Sequence, residues 1–159
     1  DENGYYASSG TSNRLILNQA LENFEFNQPN KQSLDIKDFD VSFVRGLSLQ
    51  DGAATLSDYT AEIIFRSMNF SSNKSTIWIV CGGGRKNKYL INSIKNKFFN
   101  SNKEVVVNPS ENFGINGDFV ESQAFAYIAI RSHLKLPISF PKTTKCTKPI
   151  TGGVCVSNF

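Results

Sequence analysis

The stretch IWIVCGGGRKNKYL, residues 77–90, limits what this chain can fold into more than any other. Its first part, TIWIVC from Thr76 to Cys81, is a short β-branched and aromatic run bounded by turn signals, which predicts a strand buried on both faces. Gly82, Gly83 and Gly84 follow at once. A glycine has no Cβ, so it adopts positive φ freely and lets a ligand approach the main chain closely. A helix over 87–99 comes next, with Leu90, Ile91, Ile94 and Phe98 on one face and Asn87 placed to cap it. Unpaired backbone N–H groups and the positive dipole end would then face the turn, a ready site for a phosphate or a polar ring edge, and Arg85 and Lys86 would add charge. The familiar phosphate-loop fingerprints do not fit. G-x-G-x-x-G needs glycine at 87, where Asn stands, and G-x-x-x-x-G-K-[ST] is absent. A bland tight turn, with glycine only relieving crowding, competes with a ligand site. The carboxyl end of a buried strand favours the ligand, because ligands collect there in open α/β sheets.

The rest of the chain supplies partners for this unit. Residues 12–24 carry Leu15, Ile16, Ala20 and Phe24 at helical spacings, with Ser12 ahead of them. Residues 23–37, with Pro29 and clustered polar side chains, read as a loop, and a short helix fits 38–45 before Gly46. From Leu49 a helical period runs to about Met68, with Ser48 as cap and Asp51 in the first turn; DGAATL at its start reads as a packed turn of small residues. A second buried strand is expected over Glu104–Val107. The segment from Asn116 to Leu134 is apolar almost all round in its middle and predicts a central helix buried between layers. Pro137 and Pro141 end it, and GGVCV, Gly152–Val156, offers a last strand. Strand and helix alternate from residue 76 onward, which gives the fold class: α/β, a short, mostly parallel sheet packed by helices. The expected organisation is one domain over 1–159, with peripheral helices and a loop in 1–46 and the α/β core in 47–159.

Composition excludes several classes. With 159 residues, 40% hydrophobic and 19% charged, the chain is neither a disordered tail nor fibrous. Its longest strictly apolar run, Ala124–Ile130, is far short of a bilayer span. The first residues, DENGYYASSG, lack the pattern of a signal peptide and do not begin with Met, so the chain reads as a processed or excised piece. Cys81, Cys146 and Cys155 are odd in number and form no C-x-x-C pair, which argues against a disulfide framework or zinc ribbon and points to a reducing cytosol. His133 reads as a solvated residue near a helix C-terminus. Charge is uneven: residues 1–75 carry net −4 and residues 76–159 net +7, with no acid after Glu121. That basic half either faces phosphates or is a solvated lysine surface. Glu121, three residues before the apolar run, is either a functional anion or the edge of an amphipathic turn.

Three ordered motifs then carry a resemblance. DGAATLSDYTAEII, Asp51–Ile64, is similar to a Thr-Leu-x-x-x-Thr-Ala helix; VCGGGRKNKYL, Val80–Leu90, to a Cys-Gly-Gly-Gly-x-x-Asn-x-x-Leu turn; and FGINGDFVESQAFAYIAIR, Phe113–Arg131, to a Gly-x-x-x-Asp-x-x-Glu-x-x-Ala-Phe-Ala stretch. ENGYYASSG, the Ser33-Leu34-Asp35 step, LPISFPKTT and GGVCV fit the same order. Together they resemble the anhydro-N-acetylmuramic acid kinases of bacterial cell-wall recycling, over nearly all 159 residues.

The resemblance implies the actin-like (ribonuclease H-like) ATPase fold of the sugar kinase, Hsp70 and actin superfamily, two α/β lobes closing over ATP, of which this chain matches the C-terminal, nucleotide-side lobe. It implies ATP and Mg²⁺ as cofactors, Gly82, Gly83, Gly84 and Asn87 as nucleotide-contacting positions, and Glu121 on the substrate side. The general base belongs to the N-terminal lobe, so this chain carries no catalytic residue and no metal ligand of its own and is expected to be inactive alone. Its partners would be a separate or missing N-terminal lobe and anhydro-N-acetylmuramic acid, with neither membrane nor nucleic acid, in the cytoplasm; pairing with a second copy stays open. Two positions depart from the family pattern: Gln32 stands where lysine is usual, and Thr143-Thr144-Lys145 replaces Thr-Gly-Ala. The alternative is a non-catalytic remnant or interaction module with an anion-binding basic half.

Overall fold

A computed structural model of the chain describes residues 1–24, 36–67, 75–101 and 104–156. It divides into two compact units, Asp1–Phe26 with Phe39–Asp118, and Asn27–Asp38 with Phe119–Phe159. Residues 25–35 of the loop expected over 23–37, with Gln32, and the helix end at Met68 lie outside the described residues.

In the first unit α1 (Tyr5–Ser9) and α2 (Arg14–Asn23) precede a longer helix, α3 (Leu49–Ser67). The cap of α2 is Asn13, whose side chain accepts the Ile16 N–H at 3.1 Å, one residue after the Ser12 that spacing suggested. The short helix expected over 38–45 appears as two 3₁₀ turns, Ile36–Asp38 and Ser42–Val44. Ser48 Oγ caps α3 by accepting the Asp51 N–H at 3.1 Å. Small residues in its first turns allow close packing: Ala54 and Thr55 are fully buried. Thr55 Oγ1 accepts the Asn13 N–H at 3.0 Å and donates to the Asp51 carbonyl at 2.7 Å, so the buried hydroxyl is satisfied and ties α2 to α3.

α3 serves two cores. Tyr59 and Ile63 pack with Leu17 and Leu21 of α2, and Ala61 packs with Ile94, Phe98 and Val107. Ile94 and Phe98 come from α4 (Lys88–Phe99) and Val107 from β2 (Glu104–Pro109), which pairs in parallel with β1 (Ser75–Val80), Trp78 opposite Val107. The α/β class with a parallel sheet is thus the observed one. Phe98 is 2% exposed, with the rings of Phe65 and Trp78 each 5.5 Å from its own.

The expectation that both strands are buried on both faces does not hold. Trp78, Val80, Val105 and Val107 pack on the helices, whereas Ile77, Ile79 and Val106 on the other face are exposed. An apolar run without alternation is silent about which side has a cover, and α3 and α4 cover the same side.

The second unit holds α5 (Val120–His133) and the single turn α6 (Pro141–Thr144). Here too burial departs from pattern: α5 was expected to be a central buried helix, yet none of its residues is buried, and Phe125, Tyr127 and Ile130 are each at least 60% exposed. Burying a helix that is apolar all round takes elements on every side, and the described part of its own unit adds only α6 and one antiparallel bridge, Ser139 to Ile150. Gly152–Val156 forms no strand; the Ser132 hydroxyl donates to the Gly152 carbonyl, taking an acceptor that a ladder would use. His133 is exposed in the last turn of α5, as expected. Among the described residues no helix is long and apolar enough to cross a membrane.

Truncating Phe98 to Ala removes the side chain shared by α3, α4 and the sheet. It should cost about 3–5 kcal/mol, read by urea unfolding followed through the fluorescence of Trp78, the one tryptophan.

Candidate functional site

β1 ends at Val80, and the chain turns through Gly82 before a 3₁₀ segment, Gly83–Lys86, leads into α4. Gly82 sits at φ 74° and ψ −176°, a region that side-chain-bearing residues essentially avoid. Its N–H donates to the Gly117 carbonyl at 3.0 Å, and its carbonyl accepts the Arg85 N–H at 3.3 Å. The backbone shape therefore requires glycine at 82.

Gly83 and Gly84 differ. Both lie in the 3₁₀ segment, neither has positive φ, and both are exposed. A Cβ added at Gly83 would meet nothing within 4 Å, and one at Gly84 only the tip of Leu90 at 3.9 Å. Neither backbone conformation nor crowding explains glycine at these two positions, and the space beside the turn is open. Nearby, a groove of about 610 Å³ runs along α3 past Leu49, Ala53, Leu56 and Thr60 to Asn87 and Leu90, within the range of small-molecule sites.

Asn87 caps α4 as expected: its Oδ1 accepts the Leu90 N–H at 2.9 Å. The rest of the expected anion site at that helix start is not open. Gly4 packs against the Asn87 side chain so closely that a Cβ there would collide with Oδ1 and lie 3.1 Å from the Tyr89 nitrogen. The capping oxygen and Gly4 cover that helix end, so bare main chain is presented at Gly83 and Gly84.

Arg85 and Lys86 were expected to offer charge to a ligand, and here the structure corrects the sequence. Arg85 Nε donates to Glu111 Oε1 at 2.7 Å, and its Nη1 donates to Asp118 Oδ1 and to the Gly82 carbonyl, both at 2.8 Å. Lys86 Nζ pairs with Asp118 at 2.9 Å. Two cations face two carboxylates and are spent on one another. The Arg85 side chain is only 7% exposed, laid across Gly117, where a Cβ would collide with its guanidinium. Hydrogen bonds from Arg85, then Lys86, hold the Asp118 carboxyl well below the usual carboxylate range. The Glu111 carboxyl is lowered by its own backbone N–H and then by Arg85. Arg85 itself is raised, by Asp118 first and Glu111 second.

Glu121 lies in the second unit, exposed in the first turn of α5, where the helix dipole favours a carboxylate. The structure thus brings Gly82, Gly83, Gly84 and Asn87 together in the first unit. It adds Glu111, Asp118 and Gly117, which sequence reasoning passed over as site residues. The only signal for Asp118 was its place in the motif that also contains Glu121.

The model of the family described as anhydro-N-acetylmuramic acid kinase matches residues 1–158. The chain belongs to that family. Relatives of that name include one from Pelagibacter ubique, 49% identical over all of this chain, and those from Zymomonas mobilis and Caulobacter vibrioides, 40% and 39% identical over 96% of it. The chain spans 43%, 40% and 40% of the length of those three kinases.

Two outcomes test this site. Gly82→Ala forces a side chain into the avoided region and should cost about 1–3 kcal/mol, whereas Gly83→Ala should change stability by less than about 1 kcal/mol; chemical unfolding distinguishes them. The Asp118 carboxyl, depressed in the folded chain, contributes stability at and above the ordinary carboxylate range, lost only as pH falls through its lower folded value. A ¹³C carboxyl titration should place its midpoint below 3.8, the ordinary value, and Arg85→Ala should move it back up.

Proposed function

We propose that this chain is the C-terminal, nucleotide-side lobe of a cytoplasmic, ATP-dependent kinase of anhydro-N-acetylmuramic acid, with the fold of the actin-like ATPases. The observation that carries the reading is the pair Gly83 and Gly84: two exposed positions at the carboxyl end of β1 where the fold has no use for glycine and the space is free. A nucleotide pressing on bare main chain supplies the missing reason. Gly82 shapes the turn and Asn87 fixes the start of α4 beside it.

In the reaction, water adds to the anomeric carbon of the anhydro sugar and the bridging C–O bond breaks. The freed oxygen at carbon 6 takes the γ-phosphoryl group, and ADP leaves with N-acetylmuramic acid 6-phosphate as the other product. Positioning and charge neutralisation dominate such transfers. Glu121, on the substrate side, would orient the sugar or the water. The base that activates the water and the clamp on the phosphates belong to an N-terminal lobe. Among the described residues no cluster of three or more His, Cys, Asp or Glu side chains could hold a metal ion. Mg²⁺ would accompany ATP, held chiefly through its phosphates. This division of labour makes the chain a binder of nucleotide and, by itself, not a catalyst.

Titrating the chain with Mg-ATP, alone and mixed with the N-terminal lobe of a family member, should give saturable binding that Gly83→Leu weakens at least about tenfold, roughly 1.4 kcal/mol, without lowering thermal stability. Phosphorylated sugar should form only in the mixture. Absence of binding in both arms overturns the reading; anion binding that falls steeply with salt would instead favour the interaction module.

A further inference from the structure

The geometry points to Arg85 as the positioning residue of the glycine turn: its guanidinium ties the Gly82 carbonyl to Asp118 and Glu111, and so fixes the path along which Gly83 and Gly84 present their main chain. This inference rests on the nucleotide reading above for its ligand, though not for its geometry.

Three features make Arg85 a clamp and not a phosphate-binding side chain. Its planar fork meets three acceptors at 2.7–2.8 Å, two carboxylates and one carbonyl, which leaves its inner donors occupied. Such a fork cannot be replaced by lysine, whose single ammonium nitrogen cannot span acceptors set that far apart. The slot in which it lies is formed by Gly117, which has no room for a Cβ between the guanidinium and Ser110 Oγ, 2.6 Å from where that Cβ would stand. Gly117 also accepts the Gly82 N–H, and its own N–H lies 3.4 Å from Glu111 Oε1. The main chain at Gly82 is thus held from two sides: by the Gly117 carbonyl at its N–H and by Arg85 at its carbonyl.

Gly82 occupies one of several conformations open to a glycine, so its neighbours have to select it. The Arg85 N–H alone, 3.3 Å from the carbonyl, is a long bond for that purpose; the guanidinium adds a charge-assisted one at 2.8 Å. Asp118 acts through Arg85. It holds the fork in place, and Lys86 balances its remaining charge.

A clamp and a phosphate-contacting arginine respond in opposite ways to loss of Asp118, and this decides between them. If Arg85 positions the turn, Arg85→Ala, Arg85→Lys and Asp118→Asn each speed hydrogen exchange of the Gly82, Arg85 and Asn87 amides about tenfold or more, while the β1 and α4 amides keep their protection. Each also raises the Mg-ATP dissociation constant by a similar factor, and Arg85→Ala combined with Asp118→Asn is no worse than either alone, because the two act through one network. If Arg85 instead reaches the phosphates, Asp118→Asn frees it and leaves ATP affinity unchanged or tighter, which overturns the proposal. A uniform loss of protection and thermal stability, with affinity unaltered, also overturns it by showing a merely structural role. Should the wild-type chain bind no Mg-ATP with or without an N-terminal lobe, the nucleotide reading falls, and amide exchange still reports whether Arg85 pins the turn.

Discussion

Parallel pairing of β1 with β2 is the constraint from which the first unit follows. Two parallel neighbours cannot be joined by a tight hairpin; the chain must leave the end of the first strand, cross over and return to the start of the second. α4 makes that crossing and lays Ile94 and Phe98 against Val107 and Trp78 as it does so. A sharp reversal at the carboxyl end of β1 is therefore unavoidable, and Gly82 supplies it with a backbone conformation closed to other residues. The turn is where it is because the sheet is parallel.

Once the reversal is fixed, the chemistry around it has few choices. The main chain bends away from β1, and both the N–H and the carbonyl of Gly82 need partners. They come from the segment after β2, through Gly117 and, by way of Arg85, through Glu111 and Asp118. Those carboxylates neutralise the two cations that follow the glycines. The outer surface of the turn is left with exposed main chain and open space at Gly83 and Gly84.

The same economy explains where pattern and structure part. The strand–glycine–helix order, the cap at Asn87, the packing of α3 and the boundaries of α4 were legible because each depends on neighbours within a few residues. Burial was not. An apolar run such as Thr76–Val80 or Ala124–Ile130 records that its surface is apolar, and what covers that surface depends on elements far along the chain or outside it. Ile77, Ile79 and Val106, with nearly all of α5, show the consequence: apolar side chains without cover in a chain that spans about two-fifths of its relatives' length. The partners of Arg85 were equally hidden, since Glu111 and Asp118 stand 26 and 33 residues away.

By itself the sequence determined the α/β class, the helix starts at Asn13, Ser48 and Asn87 to within a residue, and the family, because propensity, capping and motif spacing are local properties. Only the tertiary structure decided that the three glycines do different work, Gly82 by its backbone angles and Gly83 and Gly84 by the free space beside them. It alone set Arg85 against Glu111, Asp118 and the Gly82 carbonyl, since a cation joins whichever anions the fold brings within hydrogen-bond reach, and sequence distance says nothing of that reach.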